Sequence, residues 1–308
     1  MKNIACFDVG GTFIKYALIN EEGSIIFKDK VASPKENCNE TIPREMVKII
    51  KRFQEGHNVD KVGISTAGQV DSKKGEIVFA SGNLPNYTGT KLSEYIKNAL
   101  GLDTFVENDV NAAAIGEMWK GAGKGQKNFA CVTLGTGIGG AIIINGKLYK
   151  GSAGGAGEVG HTILNEEGEK CNCGGNGCYE RYASTSSLIR QYKERALLEK
   201  IDVDKDINGE KIMKLVHNGD TIALNVYDNF LNHVVNGLVS ITYVLDPGTI
   251  IIGGGISAEG EEFFKALNYK FKNKVMSSYG SYTKIIPAAL QNDAGVYGAC
   301  YIALNEML

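Results

Sequence analysis

The stretch IACFDVGGTFIKYALIN, residues 4–20, decides how this chain folds. It predicts a strand from Ile4 to Asp8, a tight turn at Gly10–Thr12 and a returning strand from Phe13 to Asn20. A related stretch, FACVTLGTGIGGAIIIN, occupies residues 129–145. The arrangement of strand, glycine turn and strand therefore occurs twice, once at the start of each half of the chain.

Strands and helices alternate after both hairpins. The predicted strands are Ser24–Lys28, Val62–Thr66, Thr104–Glu107, Ala141–Asn145 and Thr249–Ile252, and the predicted helices are Thr41–Glu55, Leu92–Leu100, Val110–Trp119, Ala223–Leu245 and Ala294–Leu308. This alternation predicts an α/β protein with mixed sheets. We expect a smaller domain over residues 1–117 together with the helix at about 294–308. A larger domain is expected over residues 118–293.

Composition excludes several classes of protein. The 308 residues carry 33 Lys and Arg against 35 Asp and Glu, so there is no excess of basic residues for nucleic acid or an anionic membrane. No apolar run reaches the roughly 18 residues of a membrane span. Because the chain meets Asp8 after four apolar residues, we expect no signal peptide and a cytoplasmic location. The seven cysteines, an odd number, favour a reducing compartment over a disulfide framework.

Both glycine turns are candidates for binding phosphate. Successive backbone N–H groups at such turns form a concave site for an anion, and Asp8 could hold a hydrated Mg²⁺ opposite the phosphates. The alternative is an ordinary hairpin turn, but a third glycine cluster at Gly253–Gly255 favours nucleotide binding. Neither turn is a Walker A loop or a dinucleotide fingerprint, since no Gly-Lys-Ser/Thr follows and the chain returns as a strand.

Three thiols and one imidazole form a predicted zinc site. His161, Cys171, Cys173 and Cys178 are a complete tetrahedral ligand set, which leaves no position for a catalytic water and indicates a structural ion. The alternative is a glycine loop with free surface thiols.

Carboxylates stand on either side of this zinc loop and at the end of a predicted strand. Glu158 and Glu180 flank the loop and suit the vicinal hydroxyls of a sugar, although either could be a solvated surface charge. Asp109 lies where a strand passes into a helix, a common place for a catalytic group in α/β enzymes. The alternative is that Asp109 or Asn108 only caps the helix.

Together these motifs resemble the ROK family of sugar kinases and repressors, within the actin-like ATPase superfamily. The resemblance spans essentially the whole chain, and the cysteine motif is its most specific part. It implies a ribonuclease H-like fold of two domains, with helices on both faces of the sheets and a cleft between the domains. It also implies a kinase that uses ATP, Mg²⁺ and a structural Zn²⁺.

The resemblance assigns roles residue by residue. Asp109 would be the general base that takes the proton from the sugar 6-hydroxyl, and the remaining sugar contacts would come from Asn83, Asn108, Glu158, His161 and Glu180. Nucleotide contacts would come from Asp8, Gly10, Gly11, Thr12, Lys15, Thr136, Gly137, Gly139, Gly140 and Gly254.

The sugar itself is the open question. The stretch from Lys74 to Thr90 is similar to N-acetylmannosamine kinases. In its loop Asn83–Thr90, Leu84 and Tyr87 could contact the methyl of an N-acetyl group, while Asn83 or a backbone carbonyl pairs with its amide. We therefore expect N-acetylmannosamine ahead of glucose. Glucokinase activity, or a kinase of fructose, allose or N-acetylglucosamine, remains the alternative.

Two further expectations concern partners. Family repressors carry an extra amino-terminal DNA-binding domain, for which we expect no room here, so a sugar-sensing protein without activity is the non-enzyme alternative. We expect a homodimer or homotetramer that binds a sugar and ATP and neither nucleic acid nor membrane.

Overall fold

The computed structural model of the chain describes residues 1–80 and 82–306. Its strands are β1 (Asn3–Val9), β2 (Phe13–Asn20), β3 (Ile25–Ala32), β4 (Lys61–Thr66), β5 (Gln69–Asp71), β6 (Glu76–Phe79), β7 (Asp103–Asn108), β8 (Phe129–Leu134), β9 (Ile138–Ile144), β10 (Lys147–Leu148), β11 (Thr249–Gly253) and β12 (Lys284–Pro287). Its helices are α1 (Cys38–Gln54), α2 (Leu92–Leu100), α3 (Asp109–Lys120), α4 (Glu180–Ala183), α5 (Thr185–Leu198), α6 (Gly209–His217), α7 (Thr221–Leu245), α8 (Glu261–Lys274), α9 (Ser277–Gly280) and α10 (Ala294–Leu304). Among the helices of these described ranges, none combines the length and the apolar character that crossing a membrane requires.

The chain divides into two compact units. The first contains Met1–Gln126, Gly146–Ala156 and Ala289–Leu308, and the second contains Lys127–Asn145 and Gly157–Ala288. This division differs from the predicted one in three places, one of which is that the carboxyl-terminal part of the first unit begins at Ala289 rather than at about residue 294. The chain leaves the first unit nine residues later than predicted, because the loop after α3 bonds back to that helix. The stretch from residue 146 to 156 returns to the first unit, which local sequence does not indicate. The last two residues of the predicted terminal helix, 307 and 308, lie outside the described residues.

The first unit is built on a mixed sheet with strand order β3-β2-β1-β4-β7. Strand β1 is antiparallel to β2 and parallel to β4, and β7 is parallel to β4. Side chains of β1 alternate between two cores: Ala5 and Phe7 pack with residues of α1 and α2, while Ile4 and Cys6 pack with residues of α3 and α10. Helices therefore cover both faces of this sheet, as the resemblance implied.

The register of the parallel strands gathers polar residues at one edge. Asp8 on β1 lies opposite Ser65 on β4, and Ser65 lies opposite Glu107 on β7. Asn108, the last residue of β7, follows in the next row. Since parallel strands end at the same edge of a sheet, this register brings Asp8 and the Asn108–Asp109 pair to one place.

The second unit repeats this plan in the strands β9-β8-β11-β12. Strand β8 is antiparallel to β9 and parallel to β11, which is the relation of β1 to β2 and β4. One face of β8, with Ala130, Val132 and Leu134, packs in a core that includes residues of α5, α6, α7 and α8. Three of these helices, α5, α6 and α8, were not predicted from the sequence.

The second glycine turn is shorter than predicted. Strand β9 begins at Ile138 rather than Ala141, because Gly139 pairs with Thr133 and Gly140 with Val132. Residues 135–137 alone form the turn. Gly140 is needed for packing within the second unit, since an added Cβ there would lie 2.5 Å from the carbonyl oxygen of Gly157.

Candidate active site

The first glycine turn is held from one side by the segment that follows β3. Ser33 Oγ donates to the carbonyl of Gly10 at 2.6 Å, and the Ser33 N–H donates to the carbonyl of Thr12 at 3.0 Å. Lys35 Nζ donates to the carbonyl of Gly11 at 2.7 Å. All three carbonyl groups of the turn are thus occupied, and the Gly10 N–H is also engaged, since it donates to the carbonyl of Phe13 at 3.0 Å. An anion at this turn would therefore be received by the N–H groups of Gly11 and Thr12.

Asp8 stands beside this turn with a lysine and a hydroxyl. Its Oδ1 accepts from Ser65 Oγ at 2.8 Å, and its Oδ2 pairs with Lys15 Nζ at 3.3 Å. The Asp8 carboxyl also lies against Gly295 near the start of α10, where an added Cβ would lie 2.6 Å from its Oδ1. A half-buried carboxylate of this kind is a fitting ligand for Mg²⁺, which binds proteins through one or two carboxylates.

Asp109 is the first residue of α3, and its neighbour Asn108 is the cap. The Asn108 side chain accepts from the N–H groups of Val110 and Asn111, so capping does not account for Asp109. Asp109 Oδ1 accepts from the Val110 N–H at 2.9 Å and from Asn108 Nδ2 at 3.0 Å.

The surroundings of Asp109 disfavour its charged form. Burial raises its pKa from the ordinary 3.8 to about 6, and the negative charge of Asp8 adds to the increase, while hydrogen bonds from Val110 and Asn108 oppose it. A carboxylate with this pKa is ionised at neutral pH and accepts a proton far more readily than an exposed one. This is the character of a general base.

Asn83 and Asn108 lie close to these groups in the first unit. Asn108 Nδ2 donates to the carbonyl of Gly68 at 3.0 Å as well as to Asp109. Asn83 is exposed, and an added Cβ on Gly11 would lie 3.3 Å from the Asn83 Cβ. The fold therefore places Asn108 beside Asp109 and Asn83 beside the first glycine turn.

Two residues of the predicted sugar loop are placed elsewhere. Leu84 is 3% exposed and Tyr87 is 0% exposed, and both belong to the core that includes residues of α1 and α2. The Tyr87 hydroxyl forms a hydrogen bond with Thr66 Oγ1 at 3.1 Å. The expectation that these side chains contact an N-acetyl methyl group is wrong, because both are buried in the core of the first unit.

The second glycine turn lies against Glu180. The turn is closed by the Gly135 N–H, which donates to the carbonyl of Gly137 at 3.0 Å, and Thr136 between them is exposed. An added Cβ on Gly137 would lie 2.5 Å from Glu180 Oε2, which also accepts from the Ile138 N–H at 3.4 Å. Glu180 thus contacts the turn directly, so its position depends on a glycine at residue 137.

Gly254 packs at the end of the same sheet. Gly253 pairs with Thr133, which brings Gly254 against Leu134. Its φ of 93° is one that L side chains rarely adopt, and an added Cβ would overlap the Leu134 carbonyl oxygen. Only glycine fits here without moving the backbone.

The four predicted zinc ligands converge. One ligand atom from each of His161, Cys171, Cys173 and Cys178 lies within 4.8 Å of all the others. Cys173 and Cys178 have their Sγ atoms 3.5 Å apart, and Cys171 Sγ is 3.7 Å from His161 Nδ1. Ligands at about 2.3 Å from a tetrahedral ion stand about 3.7 Å apart, so this cluster fits zinc.

His161 lies between the two predicted sugar-binding carboxylates. Its Nε2 is 4.0 Å from Glu158 Oε2, and its Nδ1, which faces the thiols, is 3.9 Å from Glu180 Oε1. A metal-ligating histidine commonly directs its second ring nitrogen to a carboxylate, and Glu158 occupies that place. The cluster therefore lies beside both carboxylates.

Sequence reasoning missed two buried carboxylates, one just before α3 and one within it. Glu107 directly precedes Asn108, and its Oε1 accepts from the Asn108 N–H at 3.0 Å. Glu117, near the end of α3, accepts from the N–H groups of Ala122, Ala289 and Leu290 at 2.7–3.1 Å. The available signal was a glutamate beside apolar residues, Val106 before Glu107 and Met118 after Glu117. Its partners are distant in sequence and could not be foreseen.

Comparison with known proteins gives consistent likenesses. A model of the ROK family matches residues 4–306. The glucokinase of Streptomyces coelicolor is 36% identical over an alignment of 309 positions, which covers 96% of this chain and 96% of that protein.

Solved structures resemble the chain over its whole length. The glucokinase of Streptomyces griseus, solved with glucose and AMPPNP, is 35% identical with a TM-score of 0.83, covering 98% of this chain and 99% of its own. A proposed N-acetylmannosamine kinase of Listeria monocytogenes is 29% identical with a TM-score of 0.85, covering 99% and 100%. These likenesses confirm the predicted fold class, the α/β actin-like ATPase fold.

Proposed function

The chain belongs to the ROK family, and from this premise we propose that it is an ATP-dependent kinase that phosphorylates the 6-hydroxyl of a hexose. The observation that carries the proposal is Asp109, a base with a pKa of about 6 beside Asp8 and a glycine turn. The relatives described as glucokinases support the same reaction class.

In this reaction the sugar O6 attacks the γ-phosphorus of ATP. A new O–P bond forms, the bond to the ADP oxygen breaks, and Asp109 takes the proton that leaves the hydroxyl. Phosphoryl transfer depends mostly on positioning and on charge neutralisation, so the hydrogen bonds that orient Asp109 matter as much as its basicity. Asn108 supplies one of these bonds at 3.0 Å.

The remaining roles follow the family resemblance and the local geometry. The sugar hydroxyls would be bound by Asn83, Asn108, Glu158, His161 and Glu180. The nucleotide would be bound by Gly10, Gly11, Thr12, Lys15, Thr136, Gly137, Gly139, Gly140 and Gly254. Asp8 would hold Mg²⁺, which neutralises phosphate charge when bound.

We propose a structural role for zinc at His161, Cys171, Cys173 and Cys178. All four positions of a tetrahedral ion would be filled by protein, so the ion would not activate water. Its effect on the reaction would be indirect, since the ion would hold the loop that lies beside Glu158 and Glu180.

The identity of the sugar is a separate, finer proposal. Leu84 and Tyr87, which were expected to contact the N-acetyl group of N-acetylmannosamine, are buried in the core. With that support removed, we propose glucose as the preferred substrate, in line with the S. griseus enzyme that was solved with glucose.

A coupled assay of ADP release tests both the kinase proposal and the proposed sugar. ATP is supplied with glucose, N-acetylmannosamine, N-acetylglucosamine, fructose, mannose and allose in parallel, and sugar phosphate is identified by mass. We expect transfer to at least one hexose, with the highest kcat/KM for glucose. No sugar-dependent ADP release with any hexose would contradict the kinase proposal, and a higher kcat/KM for N-acetylmannosamine would contradict only the choice of glucose.

A further inference from the structure

Glu107 carries a charge where burial is costly. It is the fifth residue of β7, only 3% of its surface is exposed, and its neighbour in the sheet is Ser65. A buried carboxylate is strongly unfavourable unless hydrogen bonds and an opposite charge replace the water it has lost. Because burying a carboxylate lowers the stability of the fold, the groups that bond to Glu107 indicate what this side chain holds in place.

Four donors saturate the Glu107 carboxylate. Oε1 accepts from the Asn108 N–H and from Asn111 Nδ2, both at 3.0 Å. Oε2 accepts from Ser72 Oγ at 3.0 Å and pairs with Lys150 Nζ at 2.8 Å. A carboxylate offers about four acceptor positions, so its capacity is filled. One oxygen thus binds the start of α3, and the other binds two segments distant in sequence.

The contacts continue from Glu107 to Asp109. Glu107 fixes the Asn108 peptide, and the Asn108 side chain in turn donates to Asp109 Oδ1 and caps α3. Asn111, one turn along the helix, is tied back to the same Glu107 oxygen. Any displacement of Glu107 would therefore reach the Asp109 carboxylate through a single residue.

We propose that Glu107 is a positioning residue for Asp109 and that Lys150, 2.8 Å from Glu107 Oε2, is the charge partner that holds the Glu107 carboxylate in place. The proposal rests on the proposed function for its catalytic consequence. It also explains why the stretch from residue 146 to 156 belongs to the first unit although it follows β9 of the second. Through Lys150, this segment places a positive charge against Glu107, which positions Asp109.

Removing the cation tests the proposal through kinetics. Lys150→Met should lower kcat by about 10- to 100-fold, since a displacement of about 1 Å costs about that much. The KM for ATP should change by less than about threefold, because Lys150 acts on the base and not on the nucleotide. Lys147→Met, an exposed lysine of the same segment, is the matched control and should keep wild-type kcat.

A double-mutant cycle separates positioning from general damage. If Lys150 acts through Asp109, then Lys150→Met should reduce kcat by less than about threefold further when Asp109 is already Asn. Full additivity of the two losses would overturn the proposal. Should Lys150→Met fail to fold, Ser72→Ala removes a neutral donor from the same oxygen and should show the same pattern at smaller size.

Hydrogen–deuterium exchange provides a readout that does not need activity. Lys150→Met should accelerate exchange of the amides of residues 108–111 by at least about tenfold, and Lys147→Met should leave them unchanged. Unchanged exchange in Lys150→Met would overturn the positioning network whether or not the chain is a kinase. Accelerated exchange in a chain that phosphorylates no sugar would refute the proposed function and leave the network standing.

Discussion

Replacing Asp109 with Asn should stabilise the folded chain while it abolishes most of the activity. The pKa of Asp109 is raised from 3.8 to about 6, a shift of about two units, and each unit corresponds to 1.36 kcal/mol. A raised carboxyl pKa means that folding favours the protonated form. The charged form therefore costs the folded state about 3 kcal/mol at pH 8, and an Asn side chain avoids that cost.

Because the pKa of Asp109 is raised, the stability of the folded chain should depend on pH in a specific way. The stability associated with protonated Asp109 is fully present below pH 3.8 and is lost as the pH rises through about 6. The difference between Asp109→Asn and wild type should thus be largest at pH 8, at about 3 kcal/mol, and about half as large at pH 5. The same pKa predicts that kcat/KM of the wild type falls as the pH drops below about 6, because the base becomes protonated.

Urea unfolding, followed by circular dichroism at both pH values, measures the stability difference, and the coupled assay measures kcat. We expect kcat to fall by about 10² to 10⁴-fold. Asp103→Asn, at an exposed position of the preceding strand β7, is the control. A hydrogen bond from Lys97 lowers the pKa of Asp103, so that variant should not gain stability. If Asp109→Asn were no more stable than wild type at pH 8, or if the difference did not shrink at pH 5, the electrostatic account of this site would be refuted.

Three further predictions concern the metal, a glycine and a buried carboxylate. Protein purified without added zinc should contain about one zinc per chain by metal analysis. Cys173→Ser should lose both the metal and much of its sugar affinity, and full activity without metal would argue against the site. Gly254→Ala should lower stability in calorimetry by about 1–3 kcal/mol, since its Cβ would overlap the Leu134 carbonyl oxygen and its φ is 93°. Glu117→Gln should cost about 1–3 kcal/mol in urea unfolding, because an amide donor would face backbone N–H groups that a carboxylate oxygen now accepts, and an unchanged midpoint would show that the loops rearrange.

The sequence by itself determined the local elements and the chemistry of the ligand sets. The glycine turn, flanked by alternating apolar residues, predicted β1 and β2, and the spacing of apolar residues predicted the buried face of α1. Four zinc ligands were predicted from residue type and spacing, and the structure brings them together. These features were predictable because backbone preference, side-chain periodicity and metal preference act over short stretches of chain.

The tertiary structure alone decided which residues are buried and which charges meet. Leu84 and Tyr87 belong to a stretch whose residue types suggest a binding loop. Their side chains nevertheless lie in a core that also contains residues of α1 and α2. Lys150 reaches Glu107 across 43 residues of sequence, and Asp8 raises the pKa of Asp109 from the far side of β4. Burial and electrostatic interactions depend on distances in space, which no periodicity in the sequence encodes, so the environment of the base was set only when the sheet and helices packed together.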